Sequence, residues 1–189
     1  MSKILTISIA AYNVEKYIKE TLYPFTQVKD KLEILIINDG SSDHTSLIAS
    51  EFASQYPETF RIIDKQNGGW GSTVNRGIEE ASGKYFKLLD GDDYFCEENL
   101  DDYLEWLEIT DADLIITPFE IIDDKKGTVL KKVEYTLESK IESKLYTKIV
   151  EKYDLSMHSC TIRTRLLKEN NVKITEKCFY TDNEYMFFV

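Results

Sequence analysis

Three carboxylates crowd into four positions at Asp90-Gly91-Asp92-Asp93. Two like charges about 4 Å apart repel by roughly 4 kcal/mol at an effective dielectric near 20. The cluster therefore needs a bound cation, protonation or wide exposure to water. It is not an EF-hand calcium loop, because Tyr94 and Phe95 stand where that loop needs its fifth-position acid and its glycine. Two more acidic loops accompany it, at Asp39 and at Asp182. If the chain builds a parallel sheet, the loops at Asp39 and Asp90 share one edge, where ligand crevices form. Read alone, Asp39-Gly40-Ser41-Ser42-Asp43 is more simply a turn and a helix cap.

The other candidate motifs are weaker. Gly68-Gly69-Trp70-Gly71 lacks the G-x-G-x-x-G spacing of a dinucleotide fingerprint, and the chain has no Walker A loop. Its amides, at a helix start, can approach an anion; a flexible loop is the equal alternative. His44 and His158 are each isolated in sequence and read as surface or core residues. Cys96, Cys160 and Cys178 are odd in number, scattered and without a C-x-x-C, which suits reduced thiols rather than a disulfide frame or zinc site. With 23 basic and 34 acidic residues the net charge is −11, which argues against nonspecific nucleic-acid binding. No apolar run approaches the ~20 residues of a membrane span, and the N-terminus has no signal-peptide pattern.

The elements that must position these residues alternate. Ile4–Ile9, Leu32–Ile37, Phe60–Ile63, Tyr85–Leu89 and Ala112–Thr117 read as buried strands. Between them lie helical patterns: Val14, Tyr17, Ile18 and Leu22, with Asn13 as cap and Pro24 near the end; Leu47, Ala49, Phe52, Ala53 and Tyr56; Val74, Ile78 and Ala81, with Gly83 as the residue past the C-cap; and Leu100, Tyr103, Leu104 and Leu107. Ser42 or Asp43 caps the second helix, and Glu97, Glu98, Asp101 and Asp102 match the dipole of the fourth. This alternation predicts an α/β fold, an αβα sandwich with a mostly parallel central sheet. The second half reads as mixed and antiparallel. A hairpin turns at Asp123–Gly127 with Val129–Tyr135 returning, residues 138–155 form a weak helix, His158–Arg163 a strand, and Thr181 caps a final helix. At 189 residues the chain suits one domain of two halves, residues 1–95 and 96–189, which the resemblance below would make a nucleotide-binding half and an acceptor-side half. Its end on an apolar run suggests a fragment of a longer chain whose missing part covers Tyr185, Phe187 and Phe188.

Together, Ile7–Asn13, Asn13–Ile18, Ile34–Thr45, Asn67–Gly83 and Lys84–Tyr94 resemble, in order and spacing, the family 2 glycosyltransferases of the GT-A fold. The resemblance implies an inverting, metal-dependent transferase moving a sugar from a nucleotide-diphosphate donor, UDP-linked, to a hydroxyl of a glycan or lipid-linked acceptor. It implies cytoplasmic work at the inner face of a membrane, with peripheral association. Ala10, Ala11 and Tyr12 would line the base site and Asp39 would accept a hydrogen bond from the base. Asp90 would approach the ribose, Asn67, Gly68 and Gly91 would belong to the donor site, and Asp92 would hold Mn²⁺ or Mg²⁺. Phe179–Tyr185 looks like the family's catalytic segment, with Asp182 as general base; Asp93 has no role assigned. Ala10 stands where the family often has proline, Val74 where it often has arginine, and Thr181 where an acid usually precedes the base. The alternatives are a nucleotide-sugar-binding domain without turnover, and a sugar nucleotidyltransferase. The latter would want a basic, glycine-rich loop after the first strand, unlike Ala10-Ala11-Tyr12-Asn13.

Overall fold

Runs of β-branched and aromatic residues become strands where both faces can be covered, and here they are. The computed structural model describes residues 2–28, 30–135 and 155–188. Four parallel strands form its centre: β1 (Leu5–Ala11), β2 (Leu32–Asn38), β3 (Phe60–Asp64) and β4 (Tyr85–Asp90). Between and after them come α1 (Ile18–Leu22), α2 (Thr45–Gln55), α3 (Trp70–Glu80) and α4 (Leu100–Ile109). β5 (Leu114–Ile116) does not pair with β4. β8 (Cys160–Arg163) lies between them, antiparallel to both, giving the order β3-β2-β1-β4-β8-β5. β6 (Phe119–Asp123) and β7 (Thr128–Val133) form a separate antiparallel hairpin, turning where Asp123–Gly127 predicted it, with a bulge at Ile121/Ile122. α5 (Thr164–Glu169) and α6 (Thr181–Phe188) complete the described elements.

Each face of the sheet has its own core. On one, Leu5, Ile7 and Ile9 of β1 pack with Ile18 and Leu22 of α1, Ala49 of α2 and Leu100, Leu104 and Leu107 of α4. On the other, Phe86 and Leu88 of β4 and Ile162 of β8 pack with Val74 and Ile78 of α3, Leu167 of α5 and Tyr185 of α6. Full burial of one such aliphatic or aromatic side chain contributes about 1.5–3 kcal/mol, which holds the helices on the sheet.

Several local expectations change. Asn13 does not cap α1. It adopts a left-handed φ of 53°, and its Oδ1 accepts the Ser42 N–H at 2.8 Å, while α1 begins only at Ile18. Leu47 is 58 % exposed, and Ile48 takes its place on the apolar face of α2 beside the expected Ala49, Phe52, Ala53 and Tyr56. The cap is shared: Asp43 Oδ1 accepts the Thr45 N–H at 3.0 Å, although His44 holds the cap position. Gly83 is not a left-handed terminator of α3, whose C-cap is Ala81 with φ −57°. It is a close approach: a Cβ there would stand 2.6 Å from the Thr6 amide nitrogen. Thr181 is the first residue of α6 rather than its cap. Tyr185 needs no missing cover, being wholly buried. The weak helix expected at 138–155 falls outside the described residues except for Leu155. Among the described residues no helix is long and apolar enough to cross a membrane.

Candidate active site

β1 pairs with β2 on one side and β4 on the other, and ligands bind at such a switch point, beyond the carboxyl ends of the strands. Two backbone bonds tie the three strand ends together. Asp39 N–H donates to the Ala11 carbonyl at 2.9 Å, and Gly91 N–H to the Ala10 carbonyl at 3.0 Å. Ala10 and Ala11 thus stand between the loops of Asp39 and Asp90, with Tyr12 exposed beside them. Gly91 is buried, and a Cβ on it would meet the Val14 Cγ2 atom at 2.9 Å. It permits this approach rather than presenting a side to solvent.

The glycine-rich loop does approach an anion, and the anion is Asp39. Its Oδ1 accepts the Gly68 N–H at 2.9 Å and the Lys65 ammonium at 2.5 Å, and its Oδ2 accepts the Gly69 N–H at 2.9 Å. Asn67 Nδ2 donates to the Asp39 carbonyl at 3.0 Å. Asp39, Asn67 and Gly68, each expected to face a donor, therefore first bind one another. Gly69, with φ 82°, then opens α3.

Trp70, the first residue of α3, donates from Nε1 to Asp90 Oδ1 at 2.9 Å. Burial pushes the Asp90 carboxyl above its usual range, against the opposing pull of Trp70 and His158. Asp93 faces His158, whose Nδ1 lies 3.2 Å from Asp93 Oδ2. Asp93 raises the His158 pKa, and Asp90 adds to the effect. One ligand atom from each of Asp90, Asp93 and His158 lies within 4.8 Å of the others. Asp92, the expected metal ligand, is not in this group. It is exposed at the turn, and no side-chain partner engages it among the described residues.

The two isolated histidines therefore both have partners, His44 pairing with Glu15 at 2.9 Å. Nothing in the sequence spacing marks His158, 65 positions beyond Asp93. The topology brings it there, because the antiparallel insertion of β8 sets the turn before that strand, Met157–Ser159, beside the carboxyl end of β4. Lys87 of β4 clips the turn in place, its buried ammonium donating to the His158 carbonyl at 2.7 Å. The His158 ring packs on Phe119, with centroids 5.9 Å apart. Phe119 in turn lines a cavity of about 350 Å³ with Ile121, Lys131, Val133, Met157 and Asp182. Asp182 is exposed, and no partner engages its carboxylate among the described residues.

The described site is a switch-point crevice with an acid–imidazole group, beside a cavity that a further carboxylate, Asp182, lines. The chain belongs to the family described as Glycosyl transferase family 2, whose profile matches residues 6–171. It is 26 % identical over 182 residues to the minor teichoic acid biosynthesis protein GgaB of Bacillus subtilis (strain 168), covering 92 % of this chain and 19 % of that protein. It is 38 % identical over 101 residues to the putative glycosyltransferase EpsH of the same organism, covering 51 % and 29 %. It thus spans under a third of either relative. Among solved structures it resembles S. aureus TarS 1–349 in complex with UDP-GlcNAc (TM-score 0.73, 20 % identity, 98 % of this chain and 52 % of that one). It also resembles the mannosyltransferase PcManGT from Pyrobaculum calidifontis in complex with GDP-Man and Mn²⁺ (TM-score 0.66, 15 % identity, 98 % and 51 %). These likenesses establish the GT-A fold.

Proposed function

We propose that residues 1–189 carry the catalytic site of an inverting glycosyltransferase that takes a sugar from a UDP-linked donor. Its acceptor is a hydroxyl of a glycan or lipid-linked saccharide. The observation that carries this reading is one line of contacts. It runs from Asp90 through Asp93, His158 and Phe119 to the cavity lined by Asp182. A donor at the switch point and an acceptor in the cavity would meet along it.

In this reading Ala10, Ala11 and Tyr12 flank the base. Asp39 orders the glycine-rich loop, and its Oδ2, with one bond to Gly69, has a second lone pair for a base N–H. Asp90, oriented by Trp70, meets the ribose. The group of two carboxylates and an imidazole suits a divalent ion such as Mn²⁺, with Mg²⁺ favouring the oxygens. Asp90, Asp93 and His158 would hold the ion, with Asp92 adding a ligand from the turn. Bound there, the ion would supply charge neutralisation for the departing nucleoside diphosphate. Asp182 takes the proton of the acceptor hydroxyl as its oxygen attacks the anomeric carbon. A single displacement inverts that centre.

Isothermal titration with UDP, with and without Mn²⁺, tests the donor half. Tight binding only with the ion supports the reading, and no binding under either condition overturns it. For the acceptor half, Asp182→Asn is expected to keep UDP affinity while losing transfer and donor hydrolysis. Full retention of turnover would remove Asp182 from the mechanism.

A further inference from the structure

Residues 174–177, between α5 and α6, are bound from both sides. Toward the donor, Asn75 of α3 pairs with Ile174 twice: its Oδ1 accepts the Ile174 N–H at 2.8 Å and its Nδ2 donates to the Ile174 carbonyl at 2.9 Å. Lys177 N–H donates to the carbonyl of Gly68, the residue whose own amide binds Asp39, at 3.0 Å. Toward the acceptor, Glu184 of α6 accepts from Thr175 twice, from the N–H at 2.8 Å and from the hydroxyl at 2.9 Å. Gly71 is required for this fit, because a Cβ there would collide with the Thr175 carbonyl oxygen. Lys177 and Tyr180 both take left-handed φ, 55° and 62°, which turns the chain from this strap into α6.

We infer that Asn75 and Glu184 are positioning residues that set Asp182 relative to the donor loop, through the strap at 174–177. The inference rests on the reading of Asp182 as the base. An amide side chain that satisfies both backbone groups of one residue fixes it as a strand partner would. Bidentate acceptance by a carboxylate then fixes the next residue to the helix that carries Asp182 two positions earlier. Five hydrogen bonds thus join Asn75 and the loop around Asp39 to the first turn of α6. Neither Asn75 nor Glu184 has a role in the mechanism above.

Hydrogen exchange on the unliganded protein tests the coupling without any substrate. Asn75→Ala is expected to speed exchange in the first turn of α6, and Glu184→Leu to speed it at Gly68–Gly71, with far-ultraviolet dichroism unchanged. Increases confined to each variant's own element would overturn the inference. Should Glu184→Leu fail to fold, Glu184→Gln keeps one acceptor for the Thr175 N–H and is expected to show the same pattern in smaller degree. UDP-GlcNAc and UDP-glucose hydrolysis supplies the second readout. Both variants should lower kcat about tenfold with KM within about twofold, since a misplacement of ~1 Å costs up to about a hundredfold. Adding Glu184→Leu to Asp182→Asn should cost less than about twofold more, because the group being positioned is already gone. A full additive loss would make Glu184 merely structural. Unimpaired Asp182→Asn would instead sink the assignment of the base and leave the exchange result to judge the strap alone.

Discussion

Asp92 and Asp93 are neighbours with opposite surroundings. Asp93 is held against His158, while Asp92 projects from the turn without a partner among the described residues. The two therefore separate in a binding experiment. Asp93→Asn and His158→Ala are expected to weaken Mn²⁺ binding at least about tenfold, the scale on which shell residues tune metal affinity. Asp92→Ala is expected to bind free Mn²⁺ within about twofold of wild type but to lose the tightening that UDP confers. Titration calorimetry reads both, and loss of free-ion binding in Asp92→Ala alone would restore the motif-based assignment. The D-x-D spacing was legible in the sequence because both acids lie on one short turn. His158 was not, because its partner lies across a strand insertion that no local pattern encodes. Lys87 offers a pH test at the same scale. Burial, with no carboxylate contributing, pulls its pKa down to about 8. The unfolded chain binds the proton more tightly, so protonated Lys87 costs folding about 3 kcal/mol at pH 7. That cost is fully present below pH 8 and is relieved as pH rises toward the unfolded value. Urea melts of wild type and Lys87→Met should therefore show the gap moving in wild type's favour between pH 8 and 10. A constant gap would contradict the burial.

Among the elements, the first four strands followed from their sequences because β-branched runs between helical periods leave few other arrangements. The expectation of a strand at 112–117 was sound in kind and direction, since β5 runs parallel to β4 through the intervening β8. Its place in the sheet was hidden, because a three-residue contact with β8 is decided by packing rather than by propensity. The glycine-rich loop shows a related limit. Its amides were readable as anion donors, but Asp39 was already the nearest anion, and no spacing rule states that a protein will supply its own. Gly71 gives the sharpest test at this scale. Gly71→Ala sets a methyl against the backbone carbonyl of Thr175, which cannot swing aside as a side chain would. Overpacking of this kind costs about 1–3 kcal/mol. We expect that loss in urea denaturation, together with weakened UDP binding, because the same shift moves the loop around Asp39. A stable variant with intact UDP affinity would show that the strap yields freely.

For the whole molecule, the question is whether the proposed donor and acceptor sides fold as one unit. β8 and β5 come from the second half of the chain, yet they extend the sheet begun by β1–β4, and Lys87 and His158 bond across the join. Tyr185 of α6 is buried in the core that also holds Val74 of α3 and Phe86 of β4. Neither side can lose its packing without exposing apolar surface of the other, so a single cooperative transition is expected in calorimetry and in dichroism. Saturation with UDP and Mn²⁺ then raises the melting point of the whole rather than of one part. At a hundredfold excess over Kd the stabilisation is about 2.7 kcal/mol. For a chain of this size that corresponds to a rise of roughly 5–10 °C. The rise should vanish in a variant lacking both Asp92 and Asp93, whose donor site cannot gather the ion. Two transitions, with only the lower-melting one unmoved by UDP, would mean instead that the acceptor side is a separate unit. In that event the strap at 174–177 would be a tether between two bodies, and not a part of one fold.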